Sequence, residues 1–420
     1  MSRVASEFQV PPFPLPLRVG LAAWRLAARF GVGHASLDEA GLIAAARRRT
    51  GLEHFVDESF RVPMRRMLHS LDAEAQLHPL GRAVMRGSVI RALECRLRLE
   101  NLSDLHSEIA EAPVRAPVFV VGLQRTGTTK MHRLLDCEPT LRSFSGTEGL
   151  NPAPLGRAVR REPGEWKLRT RQARAAKRGM KYMSPALFAI HPIETDAPEE
   201  DVFLLDTTFV SPAVDASLEV PSYSKWIREI DQVDVYRYFR RLIQLLLWQR
   251  PGRWLGKTPH HLENLDALLA VFPDAKIIHL HRDPLKVVPS FASMMAHAGV
   301  MLSDAFDTRK IGRRILDRST NAVERAIRVR DRAAAGSFLD VHYSDLVGDP
   351  VPEMRRVYEF AEIEWRSDTE QRIRTWLVQN PQRRNGAHRY RLSDFGLDAG
   401  EIDSRFKRYR EHFDVAREQG

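Results

Sequence analysis

The run from Ala116 to Asp136, APVFVVGLQRTGTTKMHRLLD, leaves this chain few ways to fold around it. Val118 to Val121 is apolar, β-branched and aromatic, the pattern of a strand buried on both faces. A loop with glycines at Gly122 and Gly127 follows. Thr128 and Thr129 then open a helix whose apolar positions are Met131, Leu134 and Leu135. A strand, a glycine loop and a helix N-terminus in succession form an anion site. Backbone N–H groups converge there and the helix dipole adds partial positive charge.

The spacing Gly122-x4-Gly127 invites comparison with the nucleotide P-loop, G-x-x-x-x-G-K-[ST]. The lysine position of that pattern is Thr128 here. In triphosphate-hydrolysing loops this lysine reaches the β- and γ-phosphates, so its replacement argues against ordinary ATP or GTP chemistry. The loop carries its cation as Arg125 instead.

The other strands alternate with helices. Trp254 to Lys257 reads as a short strand running into Lys257-Thr-Pro-His-His-Leu262. Lys276 to His281 is a second, ending at Arg282-Asp-Pro284, and Phe338 to Tyr343 a third. Between them, helical periodicity covers Tyr236–Gln249, Leu265–Phe272 and about 313–335. This order predicts an α/β fold, a parallel sheet flanked by helices in the P-loop NTPase-like manner. Ligands of such sheets bind beyond the carboxyl ends of the strands, where Arg125 to Thr129, Lys257 to His261 and Arg282 all fall. The first 112 residues read as a helical N-terminal region. Pro11, Pro12, Pro14 and Pro16 bar a regular helix at its start, Leu21–Phe30 suits a short amphipathic one, and Ser36-Leu-Asp-Glu39 has the form of a capping box. Residues 113–400 read as the α/β domain and 401–420 as a helical tail.

Bulk properties narrow the partners. The 420 residues carry a formal net charge of +10, which suits anionic ligands without choosing among them. No basic stripe is interleaved with aromatics as in nucleic-acid binders, so no nucleic acid is expected. Nothing approaches a bilayer-spanning run, and the first residues lack the pattern of a basic region, an apolar core and a small-residue cleavage site. Cys95 and Cys137 are too few for a disulfide framework or a metal site, which suits a reducing cytoplasm. The arginine-rich stretch from residue 151 to about 185 reads as a solvated helix. The acidic loop His191–Asp201 fits no metal-ligand pattern, and Asp196 to Asp201 read as caps for the helix through Phe203 to Leu205.

Four separated segments together resemble the sulfotransferase family, whose members use 3′-phosphoadenosine-5′-phosphosulfate (PAPS). Arg125-Thr-Gly-Thr-Thr129 is similar to the family loop that holds the 5′-phosphosulfate. Arg282-Asp-Pro-x5-Ser290 resembles the element that holds the 3′-phosphate. Lys257-Thr-Pro-His-His-Leu262 looks like the strand end whose lysine reaches the sulfonate, and His342-Tyr-Ser-Asp-Leu346 like the late strand and turn. The stretch His388 to Leu397 and the helical N-terminal region are like a bacterial branch of the family. Gln124 stands where a proline is common, and Lys130 where a large apolar residue is.

The resemblance implies a sulfotransferase that moves a sulfonate from PAPS to a small-molecule or glycan hydroxyl, without a metal. Arg125, Thr126, Gly127, Thr128, Thr129, Arg282, Ser290, Tyr343 and Arg389 would hold the donor, and Lys257 would act on the sulfonate. For the general base it implies Glu148, some twenty residues past the loop, ahead of His260 or His261 after the lysine strand. The other readings are a P-loop small-molecule kinase, disfavoured by Thr128, and a non-catalytic nucleotide- or RNA-binding protein.

Overall fold

The computed structural model describes residues 8, 10, 13–155, 162–381 and 390–418. Five strands form one parallel sheet: β1 (Val118–Gly122), β2 (Leu141–Arg142), β3 (Arg253–Lys257), β4 (Lys276–His281) and β5 (Phe338–His342), in the order β2-β3-β1-β4-β5. β1 lies centrally, its Val118, Phe119 and Val120 paired with Leu255, Gly256 and Lys257 of β3 and with Lys276, Ile277 and Ile278 of β4. Every residue of β1 is buried, yet its side chains still alternate. Phe119 and Val121 join a core with Phe239, Leu242 and Leu246 of helix Val233–Gln249 and with Phe291 of helix Pro284–Val300. Val118 and Val120 point into a second core with Met131, Leu134, Ile278, Val341 and Met354. A helical layer therefore covers each face, as the continuous apolar strands require. β2 pairs with Arg253 and Trp254 of β3 and is too short to leave a pattern in the sequence.

The N-terminal region is helical: α1 (Leu15–Arg29), α2 (Glu39–Thr50), α3 (Arg61–Ala73) and α4 (Pro79–Leu105). Its own core unites Leu42, Met64, Leu71, Val89 and Leu93 with Phe209, Leu218 and Tyr223 from the later chain. α4 spans both halves, since its Cys95, Leu99 and Leu102 belong to the main core. α1 begins six residues before the expected Leu21. Pro16 falls in its first turn, where a proline costs no helical hydrogen bond, so Pro14 and Pro16 start the helix rather than barring it, while Pro11 and Pro12 lie outside the described residues. The capping box at Ser36 does not form. Asp38 caps α2 through Oδ2, which accepts from the Gly41 amide at 2.7 Å. Asp201 precedes helix Val202–Leu205 as expected, but it makes no side-chain cap there.

From Pro163 on, the basic stretch folds as helix Pro163–Met183, while residues 156–161 lie outside the described residues. Most of its cations face outward, but Arg169 is fully buried and donates to the Asn151 carbonyl and to Gln249 Oε1. After helices Ala399–Arg405 and Lys407–Phe413 the chain continues over the carboxyl edge of β4, where the Glu418 amide donates to Asp283 at 2.8 Å. Among the described residues no helix is long and apolar enough to cross a membrane.

Candidate active site

The glycine loop takes a shape that its sequence permits and little else would. Gly127 has φ +95° and is the residue before helix Thr128–Leu135; a Cβ there would lie 3.1 Å from the Tyr343 ring. Gly122 has φ +146°, and its Cβ would meet the Leu280 carbonyl oxygen at 2.6 Å. Between them Arg125 adopts φ +74°, a left-handed conformation that a non-glycine residue holds only where its surroundings enforce it. Those surroundings are visible. Arg125 Nε donates to Ser290 Oγ at 3.2 Å, Nη1 donates to the Ile190 carbonyl, and the Arg125 carbonyl accepts from Arg282 Nη1 at 2.9 Å. The first helical bond runs from the Met131 amide to the Gly127 carbonyl, so the preceding amides are those a helix start leaves for a ligand.

Lys257 reaches this loop from the neighbouring strand. It ends β3 opposite Val120 and is 2% exposed, with Nζ 2.6 Å from Glu200 Oε1 and 3.3 Å from Thr129 Oγ1. Burial alone would raise the Glu200 carboxyl, but the Lys257 ammonium, and then His191, outweigh it and hold it at about 2. His191 Nε2 lies 4.0 Å from Glu200, with a third of its side chain still open to solvent. Burial lowers the His191 pKa from 6.5, and Lys257 and Arg125 lower it further against the pull of Glu200, so the imidazole is neutral at pH 7. Glu200 and His191 went unnoticed in the sequence because the acidic loop had an adequate reading as caps. The signal available was that a buried lysine at a strand end needs a counterion.

The third cation, Arg282, follows β4. Its guanidinium lies 3.9 Å over the Tyr343 ring, and Nε and Nη2 meet the Glu418 carboxylate at 2.7 and 3.0 Å. Ser290 is buried in the helix that follows. The structure thus joins Arg125, Gly127, Thr129, Lys257, Arg282, Ser290 and Tyr343 through direct contacts at the carboxyl ends of β1, β3, β4 and β5. Thr126 and Thr128 lie buried within the same loop, Thr126 Oγ1 donating to the Leu123 carbonyl. Arg389 falls outside the described residues. Lys130, an unexpected cation beside the loop, donates to the Leu346 carbonyl at 2.9 Å.

The expected bases are placed differently. Glu148 is 2% exposed and does form a capping box with Ser145, but its other oxygen takes a 2.6 Å bond from buried Arg142. Arg142 helps hold its carboxyl below the ordinary value against the upward push of burial. None of its described bonds reaches the loop. His261 is fully buried between Tyr236 Oη (2.8 Å) and Asp201 Oδ2 (3.0 Å). His260 turns toward Glu263 and Arg318. Apart from the site, His279, His281 and Asp340 cluster on β4 and β5, but the Arg330 guanidinium already neutralises the Asp340 carboxylate through both oxygens.

Three cations and two hydroxyls spread across three strand ends can receive a ligand with two separated anionic groups, by charge-assisted bonds to its oxygens. Comparisons with known proteins place the chain in one family. Residues 117–367 match the sulfotransferase family profile. A segment of the chain is 26% identical over 260 residues to the omega-hydroxy-beta-dihydromenaquinone-9 sulfotransferase Stf3 of Mycobacterium bovis and to that of Mycobacterium tuberculosis, covering 58% of this chain and 62% of the relative's length. The fold superposes on the sulfotransferase STF9 of Mycobacterium avium with a TM-score of 0.82 at 29% identity, over 92% of this chain and 99% of that one. The sulfotransferase STF1 of Mycobacterium tuberculosis gives 0.77 at 28% identity, over 88% and 98%. With the profile spanning more than half of its length, the chain belongs to the sulfotransferase family.

Proposed function

We propose that this protein transfers a sulfonate group from PAPS to a hydroxyl of a small-molecule acceptor. The observation that carries the reading is the meeting of Lys257, delivered by β3, with Thr129 of the glycine loop, which supplies from a neighbouring strand the lysine that position 128 lacks. Arg125, the helix-start amides and Thr128–Thr129 would hold the 5′-phosphosulfate. Arg282 and Ser290 would hold the 3′-phosphate, with Tyr343 stacked behind Arg282. Lys257 would neutralise charge developing on the bridging oxygen, an electrostatic contribution preorganised by Glu200. The acceptor oxygen–sulfur bond forms as the bond from sulfur to that oxygen breaks, and adenosine 3′,5′-bisphosphate leaves.

His191 is our choice for the group that takes the acceptor proton. It is neutral, partly open, and backed by the Glu200 carboxylate that would stabilise the imidazolium. Both Glu148 oxygens are engaged away from the loop, so we assign it the shaping of the turn after β2. Stf3 bears the name of an omega-hydroxy-beta-dihydromenaquinone-9 sulfotransferase, which favours a small-molecule alcohol over a glycan as the acceptor. Titration calorimetry with PAPS and a screen of alcohols with labelled PAPS test the proposal. Micromolar binding that weakens on Arg125→Ala supports it. Indifference to millimolar PAPS, or turnover of Mg-ATP by pure protein, overturns it.

A further inference from the structure

Helix α1 carries two apolar faces, and the fold uses only one. Leu17, Leu21, Trp24 and Ala28 recur at helical spacing on the inner side. Leu21 is buried there, and the Trp24 indole N–H donates to the Gly33 carbonyl at 3.0 Å, closing the helix end. Leu15, Val19, Leu26 and Phe30 lie along the opposite side at 67, 63, 59 and 79% exposure, and Val32 just beyond is 63% exposed. Single exposed apolar residues are unremarkable, but four on one stripe of one helix form a patch that water disfavours.

The charge that the helix itself carries beside this stripe is all of one sign. α1 contains Arg18, Arg25 and Arg29 and no Asp or Glu. At 100° per residue the three arginines fall together along one flank of the stripe, and all are exposed. Arg25 pairs with Asp304, itself half exposed. A second copy of the chain packed antiparallel on this face would bring two such arginine rows together, a like-charge arrangement that opposes that pairing. An anionic surface meets both features at once: the apolar stripe enters the acyl boundary while the arginines rest among the headgroups, as in helices that lie flat in a membrane interface.

We propose that α1 is a membrane-surface anchor that seats the protein on anionic lipid. The proposal stands on exposure and charge and does not depend on the transferase reading. The helix is already folded against α4, so docking needs no coil-to-helix transition.

Full-length protein co-sedimented with phosphatidylcholine vesicles containing about 30% phosphatidylglycerol tests this. The protein should pellet with those vesicles and bind pure phosphatidylcholine roughly 25-fold more weakly, since Arg18 and Arg29 near an anionic surface contribute about a fivefold factor each at moderate salt while Arg25 is paired with Asp304. Leu26→Glu with Phe30→Glu should reduce binding to the anionic vesicles at least about tenfold. Both side chains are exposed, so the melting temperature of this double variant should match that of the parent. Failure of the parent to bind the anionic vesicles overturns the proposal. So does undiminished binding by the folded double variant, which would place the lipid contact elsewhere. A concentration-dependent dimer that the same substitutions dissociate would overturn it in favour of a second copy on this face.

Discussion

Replacing Glu418 by Gln should tighten the binding of adenosine 3′,5′-bisphosphate. The Glu418 carboxylate takes the two N–H groups of Arg282 that a 3′-phosphate would use, at 2.7 and 3.0 Å, in the parallel fork that arginine offers carboxylates and phosphates alike. Exposed ion pairs contribute ~0.2–1 kcal/mol. These two side chains are 20 and 31% exposed, so solvent screening keeps the pair near the top of that range and not above it. If ~1 kcal/mol is given up when the phosphate displaces the carboxylate, removing the competitor lowers Kd about fivefold. The tail itself should stay in place, because Arg410–Asp283 and Arg417–Asp403 also anchor it. In the same calorimetric titration Arg282→Ala should weaken binding by ~1.5–3 kcal/mol, the range for hydrogen bonds to charged groups. A weaker affinity for Glu418→Gln would refute the reasoning, since Glu418 would then be orienting Arg282 rather than occupying it.

His191→Gln should lower kcat by ~10²–10⁴ while leaving adenosine 3′,5′-bisphosphate affinity unchanged, and should abolish an acid limb lying below the ordinary histidine pKa of 6.5. Retention of that limb in the variant would remove His191 from the role. Glu148→Gln is expected to act on stability instead: it strips buried Arg142 of its counterion, a loss of ~3 kcal/mol visible in a denaturant melt. Glu199 is pushed by burial from 4.5 up to about 7, so the folded state holds a proton that the unfolded chain releases. Its contribution therefore falls as pH rises between those values, by up to ~1.4 kcal/mol per pH unit, and a Glu199→Gln variant should show a flatter stability profile there. Gly256→Ala would place a Cβ 2.3 Å from Asp201 Oδ2 and 2.7 Å from the Phe119 ring, so it should displace the end of β3 and cut kcat along with stability. Unaltered turnover in that variant would show that Lys257 tolerates movement of its strand.

The parts of the site that could be read from the sequence are those written locally. The β1 run, its glycine loop and the Arg282–Ser290 spacing each sit within one strand-turn-helix unit, where composition and period fix the conformation. Strand order could then be inferred only as far as a common carboxyl edge. What escaped was long-range. Glu200 meets Lys257 across 57 positions and Glu418 meets Arg282 across 136. No periodicity records such pairs. Local rules also competed wrongly in places. Ser36 and Glu39 have capping-box spacing, but Asp38 lies nearer the helix start and takes the cap. Asp201 stands where a cap belongs, but its Oδ2 pairs with the buried His261 imidazole and neither oxygen caps the helix. Glu148 did form the cap that its Ser145-x-x-Glu148 spacing encodes, and that cap together with Arg142 is what holds it off the loop.

The missing loop lysine has a structural counterpart in strand register. Lys257 lies opposite Val120 because Leu255 pairs with Val118 and Gly256 with Phe119. A slip of one residue would turn Lys257 to the other face of the sheet and leave the loop without its second cation. The register is secured on both sides of the lysine. Gly256 allows close approach of Phe119 and Asp201, and the Asp201 amide donates to the Lys257 carbonyl at 2.9 Å. That amide belongs to the loop that brings Glu200 to the ammonium and His191 beside Glu200. One backbone bond thus aligns the cation, its counterion and the candidate base, which ties any chemistry at Thr129 to the pairing of β3 with β1.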